Sequence, residues 1–260
     1  MLTVVAFAAL VTAVNWPFPP YDSTGPPSAE SDVVPPELID QETLVQMLAR
    51  VRDGGLDAIP SLIANARNGR ADQGTTVAAL TKIGPPALPS LEICLEDPSE
   101  TVRLVATRTI RCLASQLQQQ ADAIIPGLIK RLSDESGEVR YATIVAMMSF
   151  GSNTQQAVPA LATVLCEADG FSKADITCIQ QSAAQVLGKL GPSAKSAVPA
   201  LTRVLNDKGS RARDDVAFAL WRITGDTNMF LPQLSVMLTD ADPMTRRQAA
   251  IAIRRIGVNP

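Results

Sequence analysis

The sequence predicts an all-α solenoid of about six stacked helix pairs, and three observations carry that prediction. A short phrase built around proline returns six times at a period close to 33–40 residues in most of the chain. An acidic or amide residue keeps register eight positions after each of those prolines. Apolar residues make up 46% of the 260 residues while aromatics make up only 4%, so packing falls to Ala, Leu, Val and Ile. Small aliphatic side chains suit close helix stacking and give a β-sandwich little to work with. Self-similarity at such a period marks an array in which each unit buries its neighbour's apolar face.

The chain opens on an uncharged apolar run, residues 1–14, that is short for a membrane span and matches the hydrophobic part of a secretory signal. Val11 and Ala13 supply small residues at cleavage-site spacing, whereas no Lys or Arg precedes Arg50. The reading is an exported protein (periplasmic, cell-surface or membrane-tethered), the alternative a cytoplasmic protein with a hydrophobic end. Residues 15–36 follow as a linker, with seven prolines between 17 and 36 that cannot continue a helix or a ladder. Residues 1–50 also hold six acids, Asp22, Glu30, Asp32, Glu37, Asp40 and Glu42, against Arg50 alone. The remaining 22 bases and 20 acids nearly balance, so no strong field for nucleic acid follows. Residues 37–55 are expected to form a helix that caps the end of the array.

The repeat domain is assigned to residues 56–257. Its phrases are Ile59-Pro60-Ser61-Leu62, Leu88-Pro89-Ser90-Leu91, Ile125-Pro126-Gly127-Leu128, Val158-Pro159-Ala160-Leu161, Val198-Pro199-Ala200-Leu201 and Leu231-Pro232-Gln233-Leu234. Proline is tolerated in a first helical turn, where its missing N–H had no partner. Eight residues after the prolines stand Asn68, Asp97, Asp134, Glu167, Asp207 and Asp240; six further on in four repeats stand Arg103, Arg140, Arg213 and Arg246. The spacing predicts a ladder in which each turn acid caps the next helix, accepts from backbone N–H groups and pairs with the arginine of its own repeat one turn in. Where the acid is replaced by Asn68, Gln73 is expected to replace the arginine. The second helices close on Leu80-Thr81-Lys82-Ile83-Gly84, Leu187-Gly188-Lys189-Leu190-Gly191, Leu220 to Gly225 and Ile253 to Gly257. Glycine there ends a helix in the left-handed conformation.

Proline-opened first helices, a turn acid followed by Val-Arg and a Leu-x-x-Ile-Gly ending resemble HEAT repeats, of the bacterial HEAT-like variety first named from phycobilisome lyases. The resemblance covers about residues 56–257 and implies a right-handed α-α superhelix with second helices lining the concave side. The HEAT-like class includes chromophore lyases, a DNA glycosylase and an iron hydroxylase with His-Glu ligands. Histidine is absent here, so the hydroxylase role maps onto no position. The ladder recurs once per repeat, whereas a catalytic site occurs once, and no catalytic residue is assigned. No metal or cofactor is expected. Cys166 and Cys178 bracket the longest repeat's extra loop, and in an exported protein a disulfide could clasp it; the alternative is two ordinary helix residues.

Counted from each arginine position, the residues one, five, eight and nine later share one side of the second helix. They include Leu104, Arg108 and Arg111, then Tyr141, Val145 and Met148, then Gln181 and Gln185, then Asp214, Phe218, Trp221 and Arg222, then Arg247, Ile251, Arg254 and Arg255. Aromatic and Met residues among arginines have the composition of interface hot spots. The expectation is a non-enzymatic protein-binding scaffold. Its concave groove of Tyr141, Met148, Phe218, Trp221, Arg222, Arg254 and Arg255 would grip a peptide or acidic protein segment. The competing reading packs Phe218 and Val145 against neighbouring repeats, and the competing function is a lyase or tetrapyrrole-type binder.

Overall fold

A computed structural model describes residues 49, 51–52, 54–166 and 173–257. The signal-like segment, the linker and most of the expected capping helix lie outside the described residues, as does Glu167.

Twelve α-helices of the described residues form six antiparallel-connected pairs. They are α1 Ile59–Arg67, α2 Gln73–Ile83, α3 Leu88–Leu95, α4 Glu100–Leu113, α5 Ala121–Arg131 and α6 Gly137–Phe150. The array continues with α7 Val158–Cys166, α8 Lys173–Leu190, α9 Val198–Asn206, α10 Arg213–Thr224, α11 Leu231–Leu238 and α12 Pro243–Ile256. Odd-numbered helices are the first of each pair and even-numbered helices the second.

Helix boundaries follow local chemistry. Proline stands in the first turn of α1, α3, α9 and α11, where its fixed φ is already helical. Helix α5 departs from the pattern, since it begins at Ala121 and carries Pro126 inside. That costs the helix bond to the carbonyl of Asp122, which is an exposed residue. Asp72, Ser136 and Asp242 cap α2, α6 and α12 by accepting from backbone N–H groups of residues 75, 139 and 244–245. Gly225 and Gly257, at φ 68° and 75°, end α10 and α12 in the left-handed region that side chains resist.

The core explains the repeat phrase. The leucine two places after each phrase proline, Leu62, Leu91, Leu128, Leu161, Leu201 and Leu234, is at most 1% exposed. Each contributes roughly 1.5–3 kcal/mol through burial, so the phrase is at once a helix start and a core anchor. The second helices contribute mostly small residues, among them Ala79, Ala106, Ala146, Ala183, Ala217 and Ala249, all fully buried. Small side chains let these helices approach closely. Gly188 of α8 is the extreme, because a Cβ there would sit 3.2 Å from the Cα of Ala219 on α10.

Each second helix packs directly on the next, in an unbroken row from α2 through α4, α6, α8 and α10 to α12. First helices touch their successors less extensively, chiefly α3 on α5 and α7 on α9. In a stack of pairs the layer with closer spacing is the inner one, so the second helices form the inner wall of the α-α superhelix.

Candidate functional site

The inner wall presents a line of side chains that the core only half covers. Tyr141 and Met148 on α6, with Phe218 and Trp221 on α10, are partly buried and packed against the core. Phe218 thus packs against the core, as the competing reading has it, and stays partly exposed. The rings of Phe218 and Trp221 lie 5.6 Å apart, tilted by 36°. The guanidinium of Arg255 sits 4.2 Å above the Phe218 ring and donates to Asp215 Oδ1 at 2.8 Å. This holds an aromatic pair rigid between α10 and α12, at the separation where ring quadrupoles attract.

Arg222 and Arg254 are exposed beside this cluster, Arg222 with its Nε 3.4 Å from the carbonyl of Gly188. Further along the wall, Arg108 donates to Gln73 Oε1 and to Glu138 Oε1, both at 2.7 Å, bridging α2, α4 and α6. Tyr141 meets Ser182 and Cys178 of α8 and Arg111 of α4; burial first, then Cys178, pushes its phenol above the usual value. The structure thus brings Phe218, Trp221, Arg222, Arg254 and Arg255 onto α10 and α12, and places Tyr141 and Met148 two second helices away on α6. Leu104, counted onto the same face from the sequence, is instead 1% exposed, sealed between α4 and α6 with Val139 and Ala142.

The ladder requires a correction. The acid and arginine of one repeat do not pair through their side chains. The expected acceptance from backbone N–H groups is present: Asp97, Asp134, Asp207 and Asp240 accept from the N–H two residues on, at Ser99, Ser136, Gly209 and Asp242. The arginines fold back onto turn carbonyls: Arg103 on residues 97 and 98, Arg140 on 134, Arg213 on 210 and Arg246 on 240 and 241. Six residues separate acid from arginine, so an arginine side chain running back along its helix reaches the main chain before the carboxylate, which already faces its own turn.

Two of the carboxylates, Asp97 and Asp134, are met by an arginine of the preceding repeat, and Asp134 also by Arg131 of its own repeat, Nη1 to Oδ2 at 3.1 Å. Arg103 forms a two-pronged pair with Asp134 of the next repeat, Nε to Oδ2 at 2.8 Å and Nη2 to Oδ1 at 2.9 Å. Both side chains are at most 5% exposed. Burial alone would raise the Asp134 carboxyl; the Arg103 and Ser136 hydrogen bonds and the charges of Arg103 and Arg131 overcome it, holding the carboxyl below its ordinary value. Arg67 reaches Asp97 of the next repeat in the same sense. Gln73 and Asn68 do not replace an ion pair: Gln73 serves Arg108, and Asp72 takes over as the cap.

The expected Cys166–Cys178 disulfide is also corrected, because both are free thiols, as are Cys94 and Cys112. Helix α8 starts at Lys173, so Cys178 is already more than a turn inside it, beside Tyr141 rather than at the loop.

Sequence reasoning missed one feature of this wall. Asp214 lies partly buried between α8, α10 and α12, and burial followed by the charge of Asp215 pushes its carboxyl up to about 6. Two adjacent acids opening a helix are a weak sign of this, since they read equally well as favourable first-turn charges.

A model of HEAT repeats matches residues 88–177 and again residues 125–221, together more than half of the chain. No curated protein sequence matches the chain. Among solved structures, a designed armadillo repeat protein is 18% identical, with 82% of this chain and 99% of the designed chain covered and a TM-score of 0.50. An engineered protein is 17% identical over 83% of this chain and 96% of its own, with a TM-score of 0.48. At such identity likeness extends to the fold alone. Six helix pairs, the buried proline-phrase leucines and the matched repeats make this chain a member of the HEAT-repeat family.

Proposed function

We propose that the protein is a non-enzymatic interaction scaffold whose inner wall binds a segment of a partner protein. The repeat-scaffold fold is one typical of protein-interaction proteins, and stacked repeats build extended surfaces of this kind. The observation that carries the reading to particular residues is the fixed aromatic pair Phe218 and Trp221, flanked by Arg222, Arg254 and Arg255. A rigid aromatic anchor loses little entropy on binding, and exposed guanidinium groups beside it suit an acidic segment. Tyr141 and Met148 extend the apolar line toward the middle of the array. Export, read from residues 1–36, belongs to the same proposal and is tested by sequencing the N-terminus of the mature protein.

Charge reversal of Arg222 and Arg254 to Glu tests the wall. The reversed protein is expected to lose at least tenfold in affinity for the partner captured by the unaltered chain from native extract, with the helical circular-dichroism signal unchanged. Capture at full strength by the reversed protein would remove the inner wall from consideration.

A further inference from the structure

A cavity of about 250 Å³ opens on the inner wall between α8, α10 and α12, beside the aromatic pair. Its lining is divided by chemistry. Met244 and Ile251 of α12 give apolar wall, while Thr177 and Gln181 of α8 give a hydroxyl and an amide. Asp214 is the acid inside it, and Arg211 and Arg247, both exposed, stand around it.

The Asp214 carboxylate is poorly served by its own protein. It accepts from the backbone N–H groups of residues 214 and 215, and among the described residues no ion pair reaches it. Arg255 of α12, whose charge favours the ionised Asp214, is held by Asp215 at 2.8 Å. A desolvated carboxylate in a cavity with apolar walls has already lost part of its hydration, so an incoming cation gains more there than at an open surface. The size suits one long side chain, and apolar walls suit a methylene stem with a charged end.

We propose that this cavity is a socket for one lysine or arginine side chain of the partner segment, its charge held against Asp214 while Arg211 and Arg247 hold acidic residues on either side of it. This rests on the scaffold reading above and sharpens it: the partner segment is acidic with a single basic anchor. The groups facing Asp214 set its pH response. Asp215 on the same helix repels its charge and Arg255 on α12 favours it; Arg247 on α12 and Arg211 in the preceding turn line the cavity, and the lining residues of α8 are the neutral Thr177 and Gln181. An empty socket takes up a proton near pH 6, and a protonated carboxyl gives up its attraction for a cation.

Two labelled pentapeptides test the socket on the full chain by fluorescence anisotropy. One has a lysine between two pairs of glutamates; the other has norleucine in its place, keeping the stem and removing the charge. The lysine peptide is expected to bind at least tenfold more tightly at pH 7.5. The preference should shrink as pH falls from 7.5 to 5, a range in which the peptide glutamates stay ionised. Asp214→Asn should abolish the preference for the lysine peptide over the norleucine peptide. Equal affinities, binding of neither peptide, or a preference that survives in Asp214→Asn would each overturn the socket. None of these would touch the scaffold reading, which stands or falls on partner capture by the Arg222 and Arg254 variant.

Discussion

The junction between the second and third repeats and the junction between the fifth and sixth use the same sequence position differently. At the first, Arg103 is 4% exposed and clasps Asp134 of the next repeat with two hydrogen bonds. At the second, Arg213 is 3% exposed and its reach into the next repeat ends on the hydroxyl of Thr245 at 2.9 Å. Arg246 occupies the corresponding place in the last of the six pairs and is exposed, holding only its own turn carbonyls. The arginine's contribution is therefore set less by its own repeat than by what the following repeat offers. A junction is a property of two units, as expected for a chain whose stability is a sum of repeats and nearest-neighbour interfaces.

That comparison can be broken from its strongest end. Arg103→Ala takes the two-pronged partner from the buried Asp134 carboxylate and leaves it Arg131 alone, Nη1 to Oδ2 at 3.1 Å; the expected cost in urea unfolding is up to about 3–5 kcal/mol. The pair also carries a pH signature. The Asp134 carboxyl is held below its ordinary value in the folded chain, so its stabilisation is complete above the unfolded value near 4 and is lost as pH falls through the lower folded value. Unfolding followed from pH 6 downward should show this acid loss in the native chain and its absence in a double Arg103→Met, Asp134→Leu variant.

The neutral junction should respond less. Arg213→Ala is expected to cost about 1–3 kcal/mol, the range for leaving a buried hydrogen-bond partner unsatisfied. Thr245→Val should carry a loss of its own, since the Thr245 hydroxyl also donates to Asp242 Oδ2 at 3.0 Å; a double-mutant cycle isolates its coupling to Arg213. Arg246→Ala closes the series, with an expected effect within about 0.5 kcal/mol, as for surface positions generally. An Arg246 effect as large as that of Arg103 would show that the turn carbonyls, and not the next repeat, set the arginine's worth.

Much of the fold was legible before any coordinates. The six proline phrases located every first helix, because proline in a first turn and an inward leucine two places later are both local requirements. Glycines after Ile83, Ile223-Thr224 and Ile256 marked helix ends for the same reason. The start of α5 was not legible, since the sequence cannot show that Asp122, whose carbonyl loses its helix bond to the internal proline, is an exposed residue.

The inner wall was legible in part. Helical periodicity placed Tyr141, Met148, Phe218, Trp221 and the arginines on one face of their helices, and the half-covered rings lie there. Periodicity could not separate Leu104 from that face, because whether a stripe's edge is sealed depends on the spacing to α6. It also paired each turn acid with the arginine of its own repeat, where counting along one chain sees six residues and misses the competing backbone carbonyls close by.

Sequence alone determined where most helices start and stop, α5 excepted, and roughly which side of each is apolar, since caps, prolines and 3.6-residue periodicity act within a few residues. Only the tertiary structure decided which charges meet, how Asp214 comes to sit in a cavity among three helices, and that Cys178 faces Tyr141 instead of Cys166. Those outcomes depend on the rise and rotation from one repeat to the next, a quantity summed over many small packing contacts and written in no single motif.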